Sequence, residues 1–329
     1  MMNRRTFIAS AAAVVGTGLA APGLVRAQAS VIRWGEALAP THPQVQMAEQ
    51  VAKAVKEKSG GRLDIQIFAN GQLGSGKDMI EAVASGALQM TTDGAGALAA
   101  FLPGLSLIEA PCLWRDADHL AKVAATPIFS SLNQDLVAKR GMRILKVTYY
   151  GRRHLTTGTK EVRSPADMKG FKLRVPGVDV FRAMAAAWGA EATPIAFPEL
   201  YLALSQGAVD GQENPLPTIE SAKFFEVQKF LVLTGHIITP RMVIANDAFL
   251  ATLPEADRAL IQTALEEAAA WQDKELLTRE GGLLETLRGK GMTVIEPTLE
   301  EWRKPVLDTV PAQFAERWGA GNFEKLQAL

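Results

Sequence analysis

The chain has 329 residues, of which 48% are apolar, 21% charged and 7% aromatic, the make-up of one or two globular domains rather than a disordered, collagenous or multi-span membrane chain. Its 35 Lys and Arg balance 35 Asp and Glu, so a nucleic-acid partner has no electrostatic support. The single cysteine, Cys112, excludes an internal disulfide and any zinc site needing two thiolates, and reads as a small buried hydrophobe.

Residues 1–27 carry Arg4 and Arg5, then an apolar stretch from Phe7 to Val25, and no acid. That is the order of an export signal, with Val25-Arg26-Ala27 placing small residues where a signal peptidase reads them and cleavage expected after Ala27. Asn3-Arg4-Arg5-Thr6-Phe7 resembles a twin-arginine signal. Pro22, Gly23 and Arg26 cut the apolar stretch short of the roughly 20 residues a spanning helix needs. The mature chain is therefore expected to be soluble and periplasmic, without stable membrane insertion.

Ser30 to Trp34 reads as a strand. Thr41-His42-Pro43-Gln44 reads as a capping box opening a helix, with Ala48, Val51, Ala52 and Val55 on one face until Ser59-Gly60-Gly61. Leu63 to Phe68 alternates as a strand, Asn70 to Gly76 turns, and Asp78 to Ser85 returns as a helix. Arg143 to Tyr149 and Lys172 to Val175 are further strands, joined through a loop from Gly158 to Gly170. Val178, Phe181, Ala185 and Trp188 mark the next helix, and Pro198 opens another that Gly207 stops. From Glu255 to Arg288 the chain favours helix over about 34 residues, or about 50 Å. Gly281-Gly282 splits this stretch either into two helices or into one long kinked helix spanning two lobes. Alternating β and α elements predict α/β layers with right-handed crossovers.

Gly71-Gln72-Leu73-Gly74-Ser75-Gly76-Lys77-Asp78 has phosphate-loop spacing, but Asp78 stands where a hydroxyl must hold magnesium, so it reads as a turn into a helix. The four histidines, His42, His119, His154 and His236, lack metal-ligand spacing, and no nucleophile elbow occurs. Neither a metal nor another cofactor is expected. Arginine inside apolar, structured sequence is the more informative signal. In Phe171-Lys172-Leu173-Arg174-Val175-Pro176, alternation sends Lys172 and Arg174 to one face, where a guanidinium at the end of a parallel strand can grip a carboxylate or simply meet solvent.

Gly170-Phe171-Lys172-Leu173-Arg174-Val175-Pro176, Phe197-Pro198-Glu199-Leu200-Tyr201-Leu202-Ala203-Leu204 and Val209-Asp210-Gly211-Gln212-Glu213-Asn214-Pro215-Leu216 resemble the signature stretches of DctP-type substrate-binding proteins of TRAP transporters. Phe68-Ala69-Asn70-Gly71-Gln72-Leu73-Gly74, with Ala69 where that family usually has proline, and Leu233-Thr234-Gly235-His236 extend the resemblance over nearly the whole mature chain. It implies a two-lobed periplasmic-binding-protein fold of mixed α/β sheets, with a central ligand cleft and a long helix spanning both lobes. The first lobe would comprise 31–151 plus 240–280, and the second 152–239 plus 281–329.

By the same resemblance Arg174 pairs with a substrate carboxylate. Arg153 is the second ligand arginine, Arg152 remaining the alternative one residue away. Asn214 is the amide ligand and Phe197 the ring on the ligand's carbon skeleton. Glu36 and Asp93 are first-lobe candidates for substrate hydroxyls, and equally readable as solvated or capping acids. The expected function is a monomeric receptor, not an enzyme, that closes on an organic acid anion and delivers it to the membrane permease subunits. The ligand could be a sugar acid or a C4-dicarboxylate, and the two acids lean it toward a hydroxylated monocarboxylate. A ligand-presenting sensory protein and, less readily, an exported enzyme are the alternatives.

Overall fold

A computed structural model of the chain describes residues 29–329, so the expected export signal at 1–27 lies outside the described residues. The first apolar runs form β1 (Ser30–Gly35), β2 (Leu63–Phe68) and β3 (Met90–Gly94), with β1 parallel to both of the others. The helix Pro43–Lys58 lies between β1 and β2 and buries Ala48, Val51 and Val55. Its cap differs from the expected one. Because Pro43 takes the first helical position, His42 rather than Thr41 is the N-cap, and its Nδ1 accepts from the Gln44 amide at 3.1 Å. The Gly-rich turn ends in a capping box between Ser75 and Asp78 that opens the helix Gly76–Ala84, which explains the carboxylate at position 78.

β4 (Met142–Thr157) runs 16 residues, or about 50 Å, and continues well past the Tyr149 end read from the sequence. It survives that length by changing partners. Along Met142 to Arg152 it is antiparallel to β9 (Ile238–Asn246). From Arg153 onward it pairs with β7 (Gly211–Pro215) and, at Leu155 to Thr157, with β8 (Phe230–Val232). Gly151, at φ 130°, sits at the changeover, where a Cβ would stand 2.9 Å from the Glu280 carboxylate and closer still to Pro215.

β5 (Lys172–Val175) and β6 (Glu191–Pro194) extend the second half of the sheet beside β7, and β10 (Thr293–Ile295) pairs with β8. The strand order β2-β1-β3-β9-β4-β7-β5-β6 thus has β4 in the middle, shared by two lobes. The fold is two-lobed α/β with a mixed sheet. One helix, Glu255–Gly289, runs 35 residues through the glycine pair. It braces the crossing strand: Glu280 accepts from the Tyr149 hydroxyl at 2.8 Å and the Arg152 amide at 3.1 Å, and Asp273 from the Tyr149 amide at 2.8 Å. The helix Leu299–Trp318 then packs on both lobes: the Trp302 carbonyl accepts from the Trp188 indole, and the Trp318 indole donates to Ser106.

Gly281 and Gly282 have open space where a Cβ would project, and neither has positive φ. Interior helical glycine costs about 0.5–1 kcal/mol relative to alanine. The Gly281→Ala, Gly282→Ala double variant should therefore gain about 1–2 kcal/mol in urea unfolding. A loss of stability would show that the chain needs a break there.

Candidate ligand-binding site

A cleft of about 350 Å³ opens between the lobes, and Arg153, Arg174, Asn214, Phe197, Asp93, Glu109 and Arg241 line it. Five of the six residues singled out from the sequence meet there. The exception is Glu36, which lies behind the wall while its neighbour Ala37 faces the cleft. Glu36 is fully buried; its Oε2 accepts from Gln44 Nε2 at 2.5 Å and its Oε1 has no partner.

Arg174 stands in register with Thr193 of β6 and Gln212 of β7. Strand alternation puts it on the face of Lys172, yet only Lys172 meets solvent; Arg174 is 2% exposed. Its Nε and Nη2 both donate to the Ile195 carbonyl, at 2.9 and 2.7 Å. That carbonyl fixes the guanidinium without neutralising it. Among the described residues no carboxylate forms an ion pair with Arg174, and burial pulls its pKa down to about 10, with the Glu213 charge only partly offsetting.

Arg153 is compensated. Its Nε and Nη2 grip the Glu213 carboxylate, the Nη2–Oε1 bond being 2.9 Å, and Nη2 also donates to the Glu213 carbonyl at 2.6 Å and to Asn214 Oδ1 at 3.1 Å. The Phe181 ring lies 5.1 Å from the guanidinium carbon. Glu213 is 0% exposed and takes a further bond from His236 Nε2 at 3.0 Å. Burial works against its charge, but Arg153 and His236 together keep its pKa below the usual value. Arg152 points away, donating to the Arg115 carbonyl at 3.0 Å. Asn214 is oriented from both ends: its amide nitrogen donates to Gln212 Oε1 at 2.5 Å while its oxygen accepts from Arg153. Phe197, on a 3-10 turn, packs at 6.0 Å against Phe224.

Across the cleft, Asp93 at the end of β3 pairs with Arg241 of β9 at 2.5 Å, and Arg241 lies 4.3 Å over the Tyr150 ring. Arg241 and Glu109 were not singled out from the sequence. Arg241 interrupts the apolar strand Ile238–Asn246, and Glu109 stands at the end of Leu105-Ser106-Leu107-Ile108. The criterion that found Arg174, a charge inside apolar sequence, applies equally to both. Cys112 is 7% exposed, and burial pushes its thiol up to about 11. Among the described residues no group of three His, Cys, Asp or Glu could hold a metal ion, and no helix is long and apolar enough to cross a membrane.

Residues 34–317 match the model of DctP, described as bacterial extracellular solute-binding protein, family 7. The chain belongs to this family. The chain is 32% identical over 282 residues to the sialic acid-binding periplasmic protein SiaP of Vibrio cholerae serotype O1, covering 86% of this chain and 87% of that one. Among solved structures, a TRAP periplasmic solute-binding protein from Polaromonas sp JS666 bound to D-erythronate superposes with TM-score 0.86 at 33% identity, over 91% of this chain and 99% of that one. Another from Sulfurospirillum deleyianum, with bound succinate, gives 0.85 at 28% identity, over 91% and 98%. DctP-family proteins are solute receptors, and the cleft described here lies where this chain's two lobes meet.

Two outcomes test this electrostatic reading. Arg153→Met should cost about 3–5 kcal/mol in urea unfolding, because it leaves Glu213 buried with only His236 beside it; a loss under 1 kcal/mol would mean that Glu213 is not held ionised by Arg153. Burial pushes Glu36 up to about 7, with the neighbouring Thr92 and Gln44 side chains and the Arg241 charge only partly opposing it. The folded chain then holds this proton more tightly than the unfolded one, so the contribution of Glu36 is complete at low pH and is lost as pH rises through about 7. Glu36→Gln should flatten the stability profile between pH 5 and pH 8 and leave the variant at least as stable as the parent at pH 8. An unchanged slope would refute the raised value.

Proposed function

We propose that this chain is the receptor of a TRAP transporter that encloses an organic acid anion between its lobes and hands it to the membrane permease, without turning it over. The observation that carries the reading is Arg174, a buried guanidinium in the cleft wall, held by a backbone carbonyl and paired with no acid among the described residues. An uncompensated buried charge costs several kcal/mol. A carboxylate bound in two parallel hydrogen bonds supplies the compensation, with Asn214 able to donate to or accept from the same group. The small acids bound by relatives, D-erythronate and succinate, support this chemistry. An outward location follows from the same reading and from the export signal expected at 1–27.

We also place the division of the lobes at 31–151 with 240–280 and 152–239 with 281–329. What supports it is the partner change of β4 between Arg152 and Arg153 and the grip of Glu280 on the changeover. Closure would bring Gly71 of the first lobe against Pro198 of the second. A Cβ on Gly71 would stand 2.8 Å from the Pro198 ring, at a φ of 65° that favours glycine.

Thermal unfolding of residues 28–329 against a panel of organic acids tests the proposal. A ligand at a hundredfold excess over its Kd should add about 2.7 kcal/mol of stability, and Arg174→Ala should abolish that gain. A stabilising acid whose effect survives in Arg174→Ala would overturn the carboxylate clamp.

A further inference from the structure

Resting on the carboxylate-receptor reading above, the geometry points to Glu109, with Asp93 beside it, as the acid pair by which the first lobe selects a hydroxylated monocarboxylate and rejects a dicarboxylate. Glu109 ends the 3-10 turn Pro103–Glu109 and is 4% exposed, yet it lines the cleft. Its Oε2 accepts from the Gly96 amide at 2.7 Å. Its Oε1 takes no hydrogen bond from the described residues. The acid is accommodated by two glycines: a Cβ on Gly94 would stand 2.5 Å from Oε2, and one on Gly96 would stand 3.0 Å from the same atom. This end of the cleft is shaped around a carboxylate of the protein's own.

The charges across the cleft sort the ligands that fit. In the second lobe, Arg153 is compensated by Glu213 and Arg174 is not, which provides for one ligand carboxylate. In the first lobe, Arg241 is compensated by Asp93, and Lys77 is exposed with Glu81 at 3.7 Å. Glu109 therefore adds a second acid with no cation of its own at contact distance. A hydroxyl reaching that end can donate to Glu109 Oε1 and accept from Arg241 or from the Thr239 hydroxyl, which is buried without a partner. A second carboxylate can only accept, and it meets two acids of its own sign. Burial pushes Glu109 up to about 7, so the discrimination is measured at pH 8, where its carboxylate is ionised.

The test compares acids that differ only at the far carbon: four- to six-carbon aldonates against the aldarates in which the terminal CH2OH is a second carboxylate. Titration calorimetry at pH 8 uses the parent protein, Glu109→Gln, Asp93→Asn and the double variant, with Arg174→Ala as control. The parent should bind at least one aldonate ten- to a hundredfold more tightly than its aldarate. Glu109→Gln, which keeps an acceptor for the Gly96 amide, should cut that ratio at least tenfold. Asp93→Asn, which frees Arg241, should add to the effect. An aldonate preference that Glu109→Gln and the double variant leave intact would overturn the proposal. So would a parent that binds succinate or an aldarate as tightly as any aldonate; if that binding depends on Arg174, the receptor reading itself stands. Binding that ignores Arg174 would overturn both.

Discussion

Glu213 is the carboxylate around which the cleft floor is assembled. It is fully buried on β7 directly beside the point where β4 leaves one lobe for the other, and an ionised group there is tolerable only with partners on several sides. Arg153 supplies two hydrogen bonds and His236 a third. The three come from β4, β7 and the segment leading into β9, so satisfying one charge fixes three elements against each other. Asn214 then follows from the same network, because the Arg153 nitrogen that holds Glu213 also holds its amide oxygen.

β4 runs 16 residues and the helix Glu255–Gly289 runs 35, and Glu280 ties them at Gly151. On either side of this tie the lobes share one apolar cluster, in which Leu105 and Trp114 of the first are grouped with Leu173 and Trp188 of the second. Tyr150 accepts from the Thr218 hydroxyl at 2.7 Å, and Gly96 lies against Val178. Among the described residues no ion pair joins the two lobes as divided above, which suits lobes whose separation is set by what lies between them.

Much of this was legible along the chain. The strands at 30–34, 63–68 and 172–175 and the helical face of Ala48, Val51 and Val55 follow from local periodicity, and local periodicity survives tertiary context when one face is buried. The partner change of β4 is not a local property: residues past Tyr149 stay extended because β7 and β8, some sixty to eighty residues away, accept them. The cap at His42 was misplaced by one residue because a ring nitrogen did the work usually given to a hydroxyl. Glu109 and Arg241 went unseen for a related reason. Nothing nearby in sequence says that an acid after an apolar turn and an arginine within an apolar strand converge on one wall, since their partners, Gly96 and Asp93, belong to other elements.

The uncompensated Arg174 gives this arrangement its direction. With the lobes together it is 2% exposed and its guanidinium is desolvated, so bringing the lobes together without an anion costs free energy that an open, water-filled cleft avoids. A ligand carboxylate on Arg174 removes that penalty in the closed arrangement, where the first lobe also reaches the far end of the ligand. The difference in its interaction with the two arrangements is what shifts the equilibrium between them. Arg153 does not carry this penalty, because Glu213 already neutralises it. One compensated arginine on β4 and one uncompensated arginine on β5, on the two sides of β7, therefore divide the work: the first holds the floor rigid, and the second makes closure depend on an anion.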